Sequence, residues 1–207
     1  GPHGAAPGVR LVMDRSDVSV LYDEKQIADR VAELGREITQ AFAGRQVTVV
    51  AMMKGGLVFA ADLIRAVPLD LTCHFLRSSA LRDQGAGARR TDIVFSTDVP
   101  YEGRDILLLE SVVDTGITLN FLLENIREHR PRSLRVCALV DKPSERKIDV
   151  PVDWAAFTLN EPLPDGRFIV GYGLDHAEHY RGLPYMGTIP RPAPPADGRT
   201  TTNSPVS

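Results

Sequence analysis

Two carboxylates, three hydroxyls and a glycine fall within residues 110–118: Glu110, Ser111, Asp114, Thr115, Gly116 and Thr118. Hydroxyls and free backbone N–H groups beside the start of a helix suit a phosphate, and a glycine lets the backbone approach it closely. Asp114 is the odd member. Pointed inward it would repel a phosphate, so it is expected to face a reacting group instead. A plainer reading stands beside this one, in which Asp114 or Thr118 only caps the helix. One loop can do both.

The flanking residues say what must hold that loop. Ile106, Leu107, Leu108 and Leu109 form a short apolar run that reads as a buried strand. Leu119, Leu122, Leu123 and Ile126 recur at helical spacing, so the stretch is expected to be strand, loop, helix. The same grammar repeats along the chain. Ile27, Val31, Leu34, Ile38 and Phe42 define an amphipathic helix opened by Asp23 and closed near Gly44. Residues 47–53 are almost wholly apolar, as in a strand buried on both faces of a parallel sheet. Lys54, Gly55 and Gly56 follow at the end of that strand, where ligands gather in such sheets. Taken alone they are equally an ordinary turn with a solvated lysine.

Further strands are expected at residues 69–76, 132–140 and 150–157, with short ones at 9–13 and 93–95 and the rest of residues 5–20 irregular. Residues 77–92 hold Ser78, Ser79, Gly85, Gly87, Arg82, Arg89 and Arg90 with little apolar patterning. They are expected to form a mobile loop, either a functional lid or a plain surface excursion. The pattern as a whole predicts one α/β domain over residues 5–190, an open mostly parallel sheet flanked by helices. The proline-rich, polar residues 191–207 predict a disordered or extended tail.

Of 207 residues, 43% are hydrophobic and 25% charged, with a formal net charge of −3 and a pI near 6.0. That balance gives no support for a nucleic-acid or anionic-membrane partner. Without a signal peptide or a membrane-length apolar run, the expected location is cytoplasmic. Gly1, Pro2, His3 and Gly4 read as the remnant of a cleaved tag. Cys73 and Cys137, each in an apolar run, read as buried free thiols. Neither a Rossmann glycine motif nor a Walker A motif is present.

Residues 110–119, ESVVDTGITL, resemble the phosphoribosyl pyrophosphate (PRPP) signature of type I phosphoribosyltransferases, and in particular the hypoxanthine–guanine branch. MKGG at 53–56 with FAADLIR after it, DKP at 141–143, and FIVGYGLDHAEHYRGLPY at 168–185 extend the resemblance across most of the chain. It implies the type I fold with a small hood built from terminal segments, magnesium (Mg2+) as cofactor, and a homodimer or homotetramer. It implies transfer of a phosphoribosyl group from PRPP to N9 of hypoxanthine or guanine. By position, residues 114–118, including Ile117, would hold the 5-phosphate, and Glu110 with Ser111 the ribose. Asp114 would act near purine N7. Lys54, Gly55 and Arg181 would contact pyrophosphate, with a cis peptide before Lys54. Lys142, Phe168, Ile169 and Asp175 would bind the purine, and Glu110 and Asp175 the metal.

Two departures stand out. Ser111 replaces the second carboxylate usual in the family, removing one charge and one bidentate acceptor. The lid has Ser78 and Ser79 followed by alanine and leucine where relatives carry tyrosine and glycine, leaving Arg89 and Arg90 as candidates to close it. Two alternatives therefore stay open: an enzyme for a non-standard oxopurine-like acceptor, and a non-catalytic regulator that binds PRPP or a nucleotide.

Overall fold

A computed structural model describes residues 15–82, 89–94 and 99–190. The expected strand at 9–13 and the tail at 191–207 lie outside the described residues. The described elements, in order, are β1 (Ser19–Tyr22), α1 (Glu24–Ala41), β2 (Val47–Met53), α2 (Leu57–Ala66), β3 (Leu71–Arg82), β4 (Arg89–Val94), β5 (Asp105–Val113), α3 (Ile117–Glu128), β6 (Ser133–Asp141), β7 (Trp154–Thr158), β8 (Phe168–Val170) and β9 (Met186–Ile189).

The main sheet has the order β4-β3-β2-β5-β6-β7. Its neighbours are parallel from β3 through β7, and β4 pairs antiparallel with β3. Alternation along the strands divides the core in two. Val49, Ala51, Leu107 and Leu109 pack with α1 and α2. Val50, Met52, Ile106 and Leu108 pack with Leu119, Leu122, Leu123 and Ile126 of α3. Both faces are thus covered, which is why the strands read as unbroken apolar runs.

Helix α1 starts where its chemistry says it should. The Asp23 carboxylate accepts from Gln26 N–H at 2.8 Å and Gln26 Oε1 accepts from Asp23 N–H at 2.9 Å, a reciprocal capping box. At the opposite end of β5 from the candidate loop, the fully buried Asp105 accepts from Arg132 and from Ser133 Oγ at 2.6 Å. The hydrogen bond from Arg132 holds its carboxyl below the usual range.

Several expectations are corrected. Residues 77–82 and 89–92 are strand rather than loop: Arg77 to Arg82 of β3 pair in register with β4, Arg77 opposite Val94 and Arg82 opposite Arg89. Backbone pairing needs no apolar pattern, so polar composition concealed the hairpin. Strand β1 falls partly in a stretch read as irregular, and it joins β9 and β8 in a separate three-stranded sheet, order β1-β9-β8. Strand β5 runs on through Glu110 and Ser111 to Val113. Cys137 is buried, whereas Cys73 is only half-buried.

Candidate active site

Three neighbouring parallel strands are each followed at once by a charged residue. Strand β2 stops at Met53 before Lys54, β5 at Val113 before Asp114, and β6 at Asp141 before Lys142. Val113 is opposite Asp141, so β5 and β6 end level, whereas Ala51 of β2 is opposite Leu109, so β2 stops short of them. Adjacent strands lie about 4.8 Å apart, so the sheet sets Asp114 and Lys142 side by side at its C-terminal edge with Lys54 set back beside them.

Asp114 stands between two cavities. The first, about 200 Å³, is lined by Met52, Met53, Glu110, Ser111, Gly116 and Thr118 among others. The second, about 380 Å³, is lined by Lys142, Glu145, Arg167, Phe168 and Ile169 among others. Val112 and Asp114 belong to both walls, so the two cavities adjoin, and together they offer the space of one small-molecule site. Of the residues singled out from sequence, Thr115, Ile117, Lys54, Gly55, Asp175 and Arg181 line neither cavity. Ser78, Ser79, Arg89 and Arg90 lie in the β3–β4 hairpin, and their part in a site is untouched by these observations.

Neither Asp114 nor Thr118 caps α3. The N-cap is Gly116, in the left-handed region at φ +79 with no side-chain cap hydrogen bond. A Cβ on Gly116 would sit 2.4 Å from the Ile148 carbonyl oxygen, so only glycine fits here in both backbone angle and space. Asp114 Oδ1 instead accepts from Thr115 N–H at 2.6 Å, and Ile117 N–H meets only Thr115 Oγ1, at 3.5 Å. Apart from that long contact the first turn of α3 has no side-chain cap, and its Gly116, Thr118 and Leu119 line the first cavity, an arrangement in which helix N–H groups can bind anions.

The loop is fastened from β6. Lys142 N–H donates to the Val113 carbonyl at 2.9 Å, and the N–H groups of Lys147 and Ile148 donate to the Thr115 carbonyl at 2.9 and 3.1 Å. Arg146 adds side-chain bonds to the carbonyl oxygens of Val113, at 2.7 Å, and of Asp114, while pairing with Asp141. Its function as a clamp has no signature in the sequence, where it sits in an ordinary charged stretch.

Glu110 is buried at the rim of the first cavity, and desolvation pushes its carboxyl up to about 7, with the Asp114 charge adding to the rise and a Ser111 backbone bond opposing it. Lys142, largely buried, is ion-paired with Glu145. Phe168, half exposed, stacks on His176 with centroids 5.0 Å apart.

Beside the first cavity lies an ionic cluster. The Met53–Lys54 peptide is cis. Lys54 Nζ is 2.9 Å from Glu178 Oε2, Arg181 Nη2 is 3.2 Å from the same oxygen and 2.8 Å from Asp175 Oδ1, and Arg181 Nη1 donates to the Gly173 carbonyl at 3.0 Å. A Cβ on Gly55 would meet Ser111 Oγ at 2.9 Å, so this cluster abuts the β5 end of the cavity. Glu145, Arg167 and Glu178 were not singled out from sequence, because lone charges in turns look like solvated surface.

Among the described residues no group of three or more His, Cys, Asp or Glu side chains converges on one point. A cation near Glu110 or Asp175 would therefore complete its shell with substrate oxygens and water. That donor set fits magnesium, which binds through one or two carboxylates and phosphate oxygens.

An open, mostly parallel sheet with its cavities at the C-terminal strand ends is the architecture that the resemblance to type I phosphoribosyltransferases implies. A family model for the phosphoribosyl transferase domain matches residues 17–177, and the chain belongs to that family. Within it the hypoxanthine–guanine branch is the one it joins. Hypoxanthine phosphoribosyltransferase of Salmonella typhimurium is 37% identical over 174 residues, covering 83% of this chain and 95% of the relative. The hypoxanthine-guanine phosphoribosyltransferase of Bacillus subtilis is 38% identical over 170 residues, covering 82% and 92%. A crystal structure of the Bacillus anthracis hypoxanthine-guanine phosphoribosyltransferase superposes with a TM-score of 0.72 at 37% identity, covering 82% of this chain and 96% of that one.

Proposed function

We propose that the protein transfers the 5-phosphoribosyl group of PRPP to N9 of hypoxanthine or guanine, releasing pyrophosphate. The observation that supports this reading is the wall shared by the two cavities: Asp114 lines both a pocket with Glu110, Ser111 and the start of α3 and a pocket with Lys142 and Phe168.

Each side chain has a task in that reaction. The bond from ribose C1 to pyrophosphate breaks, the bond from C1 to N9 forms, and the base gives up one ring proton. The uncapped turn of α3, with Thr115, Gly116, Ile117 and Thr118, holds the 5-phosphate. Glu110 and Ser111 bind the ribose hydroxyls. Asp114 takes or steers the purine proton near N7. Lys142 donates to O6, leaving the 6-amino group of adenine facing a donor, which disfavours it. Phe168 stacks on the ring and the Ile169 backbone meets its far edge. Lys54, the Gly55 backbone and Arg181 stabilise the negative charge that grows on pyrophosphate. Magnesium, held by Glu110 and Asp175 together with substrate oxygens, supplies further stabilisation of that charge when bound. The β3–β4 hairpin, with Ser78, Ser79, Arg89 and Arg90, closes over the reacting centre as a lid. The protein works as a homodimer or homotetramer in the cytoplasm, and its three-stranded sheet serves as the hood over the purine.

The test is magnesium-dependent nucleotide formation from PRPP with hypoxanthine, guanine, xanthine and adenine offered separately. Efficient product from a 6-oxopurine supports the reading. No product from any base, in protein that still binds PRPP or a purine nucleotide, would overturn it in favour of a different acceptor or a binding role.

A further inference from the structure

Glu178 places one carboxylate oxygen between two cations that come from distant parts of the chain. Oε2 is 2.9 Å from Lys54 Nζ and 3.2 Å from Arg181 Nη2. Arg181 is also held by Asp175, so the cluster of Lys54, Arg181, Asp175 and Glu178 is neutral as it stands. The ion pairs pull the Glu178 carboxyl below its usual range, Lys54 contributing most and Arg181 next.

The turn that carries Glu178 is not one its residues favour. Ala177, Glu178 and Tyr180 all have positive φ, at 51, 67 and 74, a region disfavoured for residues with side chains. The turn closes through reciprocal backbone bonds between His176 and His179, at 3.2 and 3.0 Å, and Glu178 N–H donates to Asp175 Oδ2 at 2.9 Å. The carboxylate's two ion pairs therefore help to hold a conformation that local preference opposes. Its side chain remains mostly exposed, at 64%, with room to swing outward.

We propose that Glu178 is an internal counter-ion that occupies the pyrophosphate position of the free protein and must be displaced when pyrophosphate, free or as part of PRPP, binds Lys54 and Arg181. This rests on the proposed function, because it takes those two cations to be the pyrophosphate-binding pair. The consequence is a tempered affinity. An entering polyanion meets a neutralised site and must exchange with a tethered carboxylate, so pyrophosphate is held less tightly than the bare cations would hold it and leaves more readily after transfer.

The experiment is calorimetric titration of inorganic pyrophosphate with magnesium into the full chain, comparing wild type, Glu178→Gln, Glu178→Ala and Glu128→Gln. Glu128 is an exposed carboxylate in the last turn of α3, far from the cavity end of that helix, so it controls for the change in net charge. Both Glu178 variants should bind pyrophosphate roughly three-fold or more tightly than wild type, the scale of one partly screened charge contact, while Glu128→Gln should match wild type. Product inhibition by pyrophosphate should strengthen by the same factor. Unchanged or weaker binding in folded Glu178 variants, or equal tightening in Glu128→Gln, would overturn the proposal. Wild-type nucleotide formation separates the two levels: if it is intact while the Glu178 variants bind like wild type, only this inference fails. If wild type neither forms nucleotide nor binds pyrophosphate, the functional reading fails and this one goes with it.

Discussion

The guanidinium of Arg146 donates to the main-chain carbonyl of Asp114, and to that of Val113 at 2.7 Å, from a position largely shielded from water. One planar cation thereby fixes the backbone on which the candidate proton acceptor rides, and it is itself fixed by Asp141. A lysine has a single ammonium and cannot reproduce that fork. Arg146→Lys is expected to lower kcat roughly ten-fold by loosening the Asp114 loop, with the melting temperature less affected than in Arg146→Ala. Steady-state kinetics beside thermal melts would check this. Unaltered kcat in the lysine variant would show that the carbonyl contacts do not position Asp114.

Asp114→Asn keeps the size of the side chain and removes the base. Turnover is expected to fall by roughly 10²-fold or more, while PRPP binding changes by only a small factor, since the proposed function assigns the phosphate contacts to the helix start. Separate measurement of kcat and of PRPP affinity decides the matter, and parallel loss in both would assign Asp114 to binding instead.

Glu110 makes stability depend on pH in an unusual direction. Its carboxyl is raised by burial to about 7, so the fold prefers the neutral form. Stability from this group is present in full below the ordinary carboxylate range and is lost as pH rises through about 7. Relative to Glu110→Gln, the melting temperature of the free protein should therefore fall from about pH 5 to about pH 7.5 and then level off. The proposed role of Glu110 at ribose and magnesium would use the ionised form, so PRPP binding below pH 7 should release a proton, detectable as a buffer-dependent binding enthalpy. No pH trend relative to the glutamine variant would mean that Glu110 is already ionised in the empty site.

Asp105 predicts the opposite trend at the other end of the same strand. Its pKa is depressed, first by the Arg132 hydrogen bond, so its stabilisation is present above the ordinary carboxylate range and is lost as pH falls through the lowered value. Asp105→Ala should lower stability at neutral pH by removing its hydrogen bonds with Arg132 and Ser133, with little effect on kcat in the folded fraction. Denaturant titration beside activity would test the separation between the two ends of β5.

Much of this architecture is legible in residue patterns, and the exceptions share a cause. The apolar runs of β2, β5 and β6 and the helical spacing of α1 and α3 are enforced by burial, which writes itself into side-chain type. The hairpin of β3 and β4 and the short strands β1, β8 and β9 are defined more by backbone pairing than by composition. The loop at 114–118 shows the same divide. Its residue types announce an anion site, but whether Asp114 caps α3 turned on Gly116 adopting a left-handed backbone under the Ile148 carbonyl. Arg146 and Glu178 were invisible because the partners that matter, the Val113 and Asp114 carbonyls and the Lys54 ammonium, come from remote segments.

Lys54, Asp114 and Lys142 each occupy the first position beyond a strand, in three strands hydrogen-bonded side by side. Strand length is consequently as much a part of this site as residue identity. Deleting one residue from β5 would draw Asp114 back into the sheet and turn its side chain to the opposite face, while leaving every named side chain in the protein. Insertions and deletions should thus be tolerated in the connections at the far edge of the sheet and rejected within β2, β5 and β6, a pattern that a deletion scan would display as three short forbidden windows.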